Sequence, residues 1–150
     1  MSSTSIDNES SPVGQLPVAD KAAIERLLSD FAWHADRGEG SALGELFSAD
    51  GMLRVGGLDL SGRQAIADDC LRRAAQPGRR TRHVWSNLRI ELALPAQVIA
   101  TAVQVTYEQP GEGQAVQVRV NDIADTFIKE ANGRWRFASR RIERALAFAA

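Results

Sequence analysis

The second half of the chain alternates long stretches of strand-forming residues with short turn sequences. The clearest turn is Asn132-Gly133, because both residue types accept the positive φ angles of a tight hairpin. From Val116 to Val120, valines alternate with polar residues, so successive side chains should lie on opposite faces of a strand. The pattern predicts an antiparallel meander of four strands, at about residues 81–94, 97–109, 115–129 and 134–147.

The first half of the chain shows helical periodicity instead. Apolar residues from Ile24 to Ala35 recur at intervals of three and four, which predicts an amphipathic helix over about residues 19–36. Gly38 follows and should end it. Three more elements are predicted before the meander: a short helix capped by Ser41 and containing Phe47, a hairpin turning at Gly56-Gly57, and a helix from a capping box at Ser61–Gln64 to about Ala75.

This order of elements defines a fold class. Helices segregated from an antiparallel sheet indicate an α+β protein. We expect a cone-shaped, curved antiparallel sheet wrapped around three N-terminal helices, and a half-open cone leaves a pocket for a small-molecule ligand. Residues 1–17 are rich in serine and poor in apolar residues, which predicts a disordered N-terminal arm. Residues 18–150 are then one domain with a core of its own.

Composition and charge exclude several functions. The net charge of -1 argues against a general nucleic-acid-binding protein. No stretch is long and apolar enough to cross a membrane, and no secretory signal is visible. The single cysteine, Cys70, cannot form an intrachain disulfide, which fits a cytoplasmic protein. Five arginines crowd residues 72–82, and this cluster allows two interpretations: a solvated rim or subunit contact, or an anion-attracting lip over the pocket.

Two separate segments carry the best candidates for chemistry. Asp36 ends the first predicted helix, and His83 begins the first long strand. If they meet, the carboxylate fixes one imidazole nitrogen and leaves the other free to take a proton near neutral pH. The pair predicts a general base and its orienting group. The alternative is a satisfied core histidine beside a carboxylate that caps the helix.

His34 is the only other histidine, and it lies at the edge of the apolar stripe of the first helix. We treat it as a third candidate catalytic residue, an auxiliary polar group. His34, Asp36 and His83 also have the composition of a two-histidine, one-carboxylate iron site. Positions i and i+2 of a helix diverge by about 200°, however, so no metal site and no cofactor are predicted.

Five residues are candidates for contact with the substrate. Asn87 shares strand parity with His83 and could place an amide near a substrate oxygen. The aromatic side chains should supply apolar walls, although packing in the core is the default for such residues. Arg140 and Arg141 are adjacent in a strand, so one must face inward and needs a partner such as Asp122 or Asp125, or an anionic ligand. The predicted substrate contacts are Asn87, Trp85, Phe31, Phe47 and Arg141.

An ordered set of short motifs resembles the SnoaL-like family of the nuclear transport factor 2-like superfamily. The motifs span about residues 18–147, and each is weak alone. They are Ala35-Asp36-Arg37-Gly38-Glu39, Leu46-Phe47-Ser48-Ala49-Asp50-Gly51, Leu60-Ser61-Gly62-Arg63-Gln64-Ala65-Ile66, Thr81-Arg82-His83-Val84-Trp85-Ser86-Asn87-Leu88 and Gly133-Arg134-Trp135-Arg136-Phe137-Ala138-Ser139-Arg140.

The resemblance implies a curved sheet forming a cone with three helices, often in a homodimer. Dehydratases and dehydrochlorinases of this group use an Asp–His pair, and Asp36 and His83 match its positions. Their Tyr or Lys one helical turn earlier is absent here, where His34 would have to replace it. The implied function is a cofactor-free lyase or isomerase acting on a small, mostly apolar molecule. The alternatives are a small ligand-binding protein, or the non-catalytic small subunit of an aromatic-ring-hydroxylating dioxygenase, partnered by a larger oxygenase subunit.

Overall fold

The computed structural model describes residues 16–148. Most of the predicted N-terminal arm, residues 1–15, therefore lies outside the described residues. Within them the chain forms three helices and six strands. The helices are α1 (Val18–Asp36), α2 (Gly40–Glu45) and α3 (Arg63–Ala74). The strands are β1 (Phe47–Val55), β2 (Leu58–Ser61), β3 (Arg80–Leu94), β4 (Gln97–Gln109), β5 (Gln117–Lys129) and β6 (Trp135–Ala147).

The strands form one curved, unclosed sheet in the order β2-β1-β6-β5-β4-β3. The hairpin and the meander pair antiparallel, as expected, and the α+β cone is confirmed. The sheet is mixed, however, since β1 and β6 pair in parallel. The expectation of a purely antiparallel sheet is wrong at this one junction. It joins two strands far apart in sequence, and nothing in the local pattern of either strand encodes the direction of that pairing.

Two predicted helix boundaries also differ from the structure. Phe47 opens β1 rather than continuing α2. The capping box at Ser61 does not form, because Ser61 belongs to β2 and the N-cap of α3 is Gly62, at a φ of 85°. The Gln64 amide donates instead to the Asp68 carboxylate, 2.8 Å away and one turn later. The helix therefore begins from a left-handed glycine, without a side-chain cap.

Four phenylalanines form the centre of the core. Phe137 lies 5.0 Å from Phe47, 5.0 Å from Phe127 and 6.0 Å from Phe31 between ring centroids. Ile24 and Leu28 of α1 are fully buried beside them. Aromatic rings at these separations combine a large buried area with favourable edge and tilted contacts. This packing fills one part of the cone and fixes α1 across the sheet.

The inward face of β4 changes character along the strand. Val98, Ala100 and Ala102 are buried apolar residues, and they are followed on the same face by Gln104 and Thr106, which are equally buried. Strand alternation puts every second residue on one face, so this face is apolar at one end and polar at the other. The polar part lies beside the first half of β3, where His83 is located. No helix in the described part of the chain is long and apolar enough to span a membrane.

Candidate active site

The last residue of α1 lies against the first half of β3. The His83 Nδ1–H donates to Asp36 Oδ1 across 2.5 Å. The His83 backbone N–H donates to Asp36 Oδ2 at 3.0 Å, and the Thr81 hydroxyl donates to Oδ1 at 2.9 Å. Three donors thus hold a carboxylate whose side chain is only 4% exposed. The contact predicted between Asp36 and His83 is present, because α1 ends where β3 begins its pairing.

The electrostatics of Asp36 keep it ionised. Burial by itself would raise the pKa of this carboxyl. The hydrogen bonds and charge of His83, with the Thr81 hydroxyl, outweigh burial and hold the pKa of Asp36 below its ordinary value. An ionised Asp36 can only accept, so the imidazole proton stays on Nδ1. The second ring nitrogen, Nε2, is then the basic one.

A cavity of about 680 Å³ lies beside the imidazole. This volume is within the range of small-molecule sites. The helices and β1 supply an apolar wall, and β4 with β5 supplies a polar one. The apolar lining includes Phe31, Leu43, Leu53, Ile66 and Ile142. The polar lining includes Thr81, His83, Gln104, Thr106 and Asn121.

Cross-strand pairing arranges the polar lining in rows. His83 is paired with Thr106, and Thr106 with Arg119 on the next strand. The neighbouring row runs through Gln104 and Asn121. The Asn121 amide donates to the Thr106 hydroxyl at 3.3 Å, whereas no side-chain hydrogen bond holds the Gln104 amide within residues 16–148. Paired side chains on adjacent strands lie about 5 Å apart, so these groups are close neighbours of the imidazole.

A charged group closes the polar wall. Glu108 accepts from Arg79 at 2.8 Å and from Arg119 at 3.4 Å. All three side chains are at least four-fifths buried. Burial would raise the pKa of Glu108, but the two guanidinium groups outweigh it and hold that pKa below its ordinary value. One carboxylate is therefore shared by two permanent cations at the cavity wall. The sequence indicated only the arginine cluster at residues 72–82, and Glu108 and Arg119 were not predicted as part of the site.

The aromatic candidates divide between the cavity and the core. Phe31 borders the cavity, as predicted for an apolar wall. Phe47 is fully buried within the aromatic cluster and does not border it. Trp85 lies beside α1, where its indole N–H donates to the Ser29 hydroxyl at 3.0 Å, and it is also absent from the cavity lining.

The structure does not bring His34 to the cavity. Its Nδ1 lies 3.3 Å from Glu39 Oε1 near the end of α1, and His34 is not among the residues that line the cavity. Adjacent helical positions diverge by about 100°, so residues 34 and 36 point in very different directions. Among the described residues, no group of three or more His, Cys, Asp or Glu side chains could hold a metal ion.

Two predicted substrate contacts lie in a different groove. Asn87 and Arg141 border a groove of about 400 Å³ that is separate from the cavity. None of the predicted catalytic residues lines this groove. Asn87 has a φ of 56° and belongs to a bulge, because Asn87 and Leu88 together face one residue of β4. The bulge reverses the parity of β3 after Ser86. The expectation that Asn87 shares the face of His83 is therefore wrong.

Arg140, not Arg141, is the inward arginine. Its Nε lies 3.1 Å from Asp125 Oδ1, and both side chains are almost completely buried. The guanidinium also lies over the rings of Phe31 and Phe137, at 4.2 and 4.9 Å from their centroids. Its nitrogens make no hydrogen bond of good geometry within residues 16–148. Parity left the choice between the two arginines open, and the structure assigns the ion pair to Asp125, one of the partners expected.

Fold and site together define an α+β cone with a histidine–carboxylate pair beside an internal cavity. The chain belongs to the SnoaL-like domain family, whose pattern matches residues 17–141. No match was found among curated protein sequences.

Solved structures share the whole fold at low sequence identity. A scytalone dehydratase-like protein from Novosphingobium aromaticivorans DSM 12444 has a TM-score of 0.78 at 20% identity, covering 89% of each chain. A hexachlorocyclohexane dehydrochlorinase, LinA type 2, has a TM-score of 0.78 at 19% identity, covering 89% of this chain and 91% of the other. An aromatic ring hydroxylase-like protein from N. aromaticivorans has a TM-score of 0.79 at 15% identity, covering 88% and 93%. At these identities the similarity establishes the fold alone.

Proposed function

We propose that the protein is a cofactor-free lyase or isomerase in which His83 removes a proton from a small molecule bound in the cavity. The observation that carries the proposal is the contact of His83 Nδ1 with Asp36 at 2.5 Å beside a cavity of about 680 Å³. This contact leaves Nε2 as the base on a residue that lines the cavity. Family membership is consistent with such chemistry, since SnoaL-like folds include dehydratase-like and dehydrochlorinase structures.

The proposed step begins with transfer of a proton from substrate carbon to His83 Nε2. The electron pair of the broken C–H bond then either forms a double bond and expels a leaving group, or moves onto an adjacent carbonyl oxygen. Asp36 stabilises the imidazolium that forms, and its hydrogen bond keeps the ring oriented. The Gln104 amide is free to donate to an oxygen that gains negative charge. The proton is returned to the leaving group or to another carbon.

The alternatives receive less support from the cavity. A non-catalytic subunit does not need an open cavity beside an oriented histidine. A protein that only binds a ligand does not need a carboxylate that orients the histidine. A carboxylate held by three donors is an arrangement that fixes a base in one tautomer. We therefore place the enzyme first, ahead of a ligand-binding protein and a dioxygenase small subunit.

We also propose a homodimer formed through the outer face of the sheet. An apolar row crosses four strands there, through Val84, Val105, Val120 and Leu146. Val84 and Leu146 are more than half exposed. A second copy of the chain would cover this row. Light scattering should give twice the monomer mass, and the double variant Val84→Arg with Leu146→Arg should be monomeric.

A cytoplasmic location stays a prediction from the single cysteine.

The experiment that tests the reaction is a screen in D₂O. Candidate substrates are β-hydroxy carbonyl compounds, chlorinated hydrocarbons and ketones, with deuterium uptake and product read by mass spectrometry. On any substrate found, we expect His83→Ala to lower the rate by about 10²–10⁴-fold, the range for loss of a general base. Asp36→Asn should also be slow, because an amide can donate to Nδ1 and move the imidazole proton to Nε2.

His34→Ala is the matched substitution, because it removes the only other histidine of the chain. We expect it to keep most of the rate, as His34 does not border the cavity. A loss of rate equal to that of His83→Ala would mean that His34 does have an auxiliary role in the reaction. Full activity of a folded His83→Ala protein, checked by circular dichroism, would end the proposal.

A further inference from the structure

We propose that the molecule bound in the cavity is a carboxylic acid, and that Arg119 and Arg144 hold its carboxylate at the end of the polar wall. This inference deepens the proposed function, since it assigns a class to the substrate of the same cavity. The apolar wall would receive the body of the acid, and the reacting carbon would lie near His83.

The first observation is the imbalance of charge at Glu108. Two arginines share this one carboxylate, so the group carries a net charge of +1 at the cavity wall. The Arg79 side chain is 12% exposed and that of Arg119 is 20% exposed, so water screens the surplus poorly. The contact of Arg119 with Glu108 is also the longer one, which leaves its guanidinium free to turn toward a second carboxylate.

Arg144 adds a second positive charge to the same end. It pairs with Asn121 across the sheet and borders the cavity. Within residues 16–148 it makes no ion pair, whereas Glu143, its neighbour, is engaged by Arg141 at 3.2 Å. Guanidinium groups match carboxylates in shape and can donate two hydrogen bonds to one.

A different arginine cluster at the cavity is a weaker candidate. Asp69 is shared by Arg72 and Arg73 in the same way as Glu108 is shared. Arg72, however, is 60% exposed, so solvent screens its charge. Of the arginine-rich segment 72–82, Arg73 and Arg79 border the cavity, which gives the sequence interpretation of an anion-attracting lip partial support.

The spacing along the sheet defines the size of the acid. Arg119 lies two strands from His83 in the same row. Adjacent strands are about 4.8 Å apart, so the two backbone positions are about 10 Å apart. Thr106 lies between them, and Gln104 is next to it on the same face. A carboxylate on a ring-sized apolar body spans such a distance.

Gln104 supplies an independent reason to expect a polar ligand. The residue is 2% exposed, it borders the cavity, and no side-chain hydrogen bond satisfies its amide within residues 16–148. The amide faces the cavity, where a ligand oxygen or a bound water would accept its hydrogen bond. A purely apolar molecule would leave this group unsatisfied. The expected ligand therefore has a hydroxyl or carbonyl near His83 besides its carboxylate.

The test compares two matched probes, 2-naphthoate and 2-naphthamide, by isothermal titration calorimetry on the full chain. We expect the carboxylate to bind at least about tenfold more tightly than the amide, which is 1.4 kcal/mol. Arg119→Gln should remove most of this preference, and Arg144→Gln, at an exposed position, should reduce it without risk to folding. The control is Arg89→Gln, on an exposed part of β3 outside the cavity, which should keep the full preference.

Equal affinity for the two probes, including no binding of either at about 1 mM, would overturn the proposal. So would a preference that survives in both Arg119→Gln and Arg144→Gln. The result is separable from the proposed reaction because binding needs no proton transfer. His83→Ala should still prefer 2-naphthoate, so an inactive base and an absent carboxylate site give different results.

Discussion

Two buried aspartates in this molecule are paired with basic side chains in opposite ways. Asp36 receives three hydrogen bonds, from the His83 ring, the His83 backbone and Thr81, and the pKa of Asp36 is lowered. Asp125 faces Arg140 at 3.1 Å without good hydrogen-bond geometry, and burial raises the pKa of Asp125 to about 6 despite the arginine. Directed donors therefore decide whether a buried carboxyl keeps its charge, more than a nearby charge does.

The surroundings of the two aspartates explain the difference. Asp125 pairs across the sheet with Ala100 and Arg140, next to the aromatic cluster, where few donors are available. Asp36 lies at the end of a helix against a strand edge, where a free backbone N–H and a hydroxyl point at it. The first region packs the cone, and the second orients a base beside the cavity. The comparison predicts that the Asp125 pair matters mainly for stability and the Asp36 pair mainly for function.

The largest effect on stability should come from breaking the Asp125 pair. Asp125→Ala leaves the buried Arg140 guanidinium without any acceptor oxygen beside it, whereas even a protonated Asp125 offers one, so the free energy of unfolding should fall by about 3–5 kcal/mol. The double variant Asp125→Leu with Arg140→Met removes both charges and should unfold at a similar or higher urea concentration than the wild type. Urea denaturation followed by tryptophan fluorescence measures both. A double variant as unstable as Asp125→Ala would show that the charge pair itself holds the core together.

The pH dependence of stability should separate the two aspartates by sign. The folded-state pKa of Asp125, about 6, lies above the unfolded value of about 3.9, so the folded state holds the extra proton between these values. Stability should therefore fall as the pH rises from about 4 to about 6, by on the order of 2–3 kcal/mol. The pKa of Asp36 is lowered, so its contribution is present above about pH 4 and is lost as the pH falls through the folded-state pKa.

The variants Asp125→Asn and Asp36→Asn assign these slopes. Urea denaturation at a series of pH values should show that Asp125→Asn loses the decline between about pH 4 and 6. Asp36→Asn should lose part of the decline below about pH 4. Parallel curves for the wild type and Asp125→Asn would mean that Asp125 stays ionised in the fold, and the contrast between the two carboxyls would then disappear.

Local sequence signals predicted one half of this comparison and left the other with several alternatives. The periodicity of α1 placed Asp36 at the end of the helix, and the turn chemistry placed His83 at the start of the meander, whereas their contact, across four intervening elements, was a hypothesis that the family resemblance supported. The pair of Asp125 and Arg140 depends on register between β5 and β6, where bulges shift the pairing twice. Strand parity alone left Arg140 and Arg141 equally eligible, because a bulge of one residue exchanges the two faces.

The same reasoning explains why the polar wall was not predicted. Gln104, Glu108 and Arg119 look like ordinary polar residues of a strand, and only the sheet pairing brings them beside His83. The parallel pairing of β1 with β6 is equally non-local. Local pattern therefore predicted the elements, the pocket and the candidate base, while the polar lining of the cavity, on which the proposed charge preference rests, comes from tertiary pairing.

The smallest expected effect concerns the bulge that separates the two regions on β3. Thr81 and His83 precede Asn87 and face the polar wall, whereas Ile90 follows it and pairs with Ala100 of the apolar part. Asn87 holds the bulge at a φ of 56°, a conformation that asparagine and glycine tolerate better than alanine. Asn87→Ala should lower the free energy of unfolding by about 1 kcal/mol, and Asn87→Gly should leave it nearly unchanged. Both should keep 2-naphthoate binding, since Asn87 lies outside the cavity. A large loss of binding in Asn87→Gly would mean that the bulge sets the position of His83 against the polar wall, and the two regions would then be coupled rather than separate.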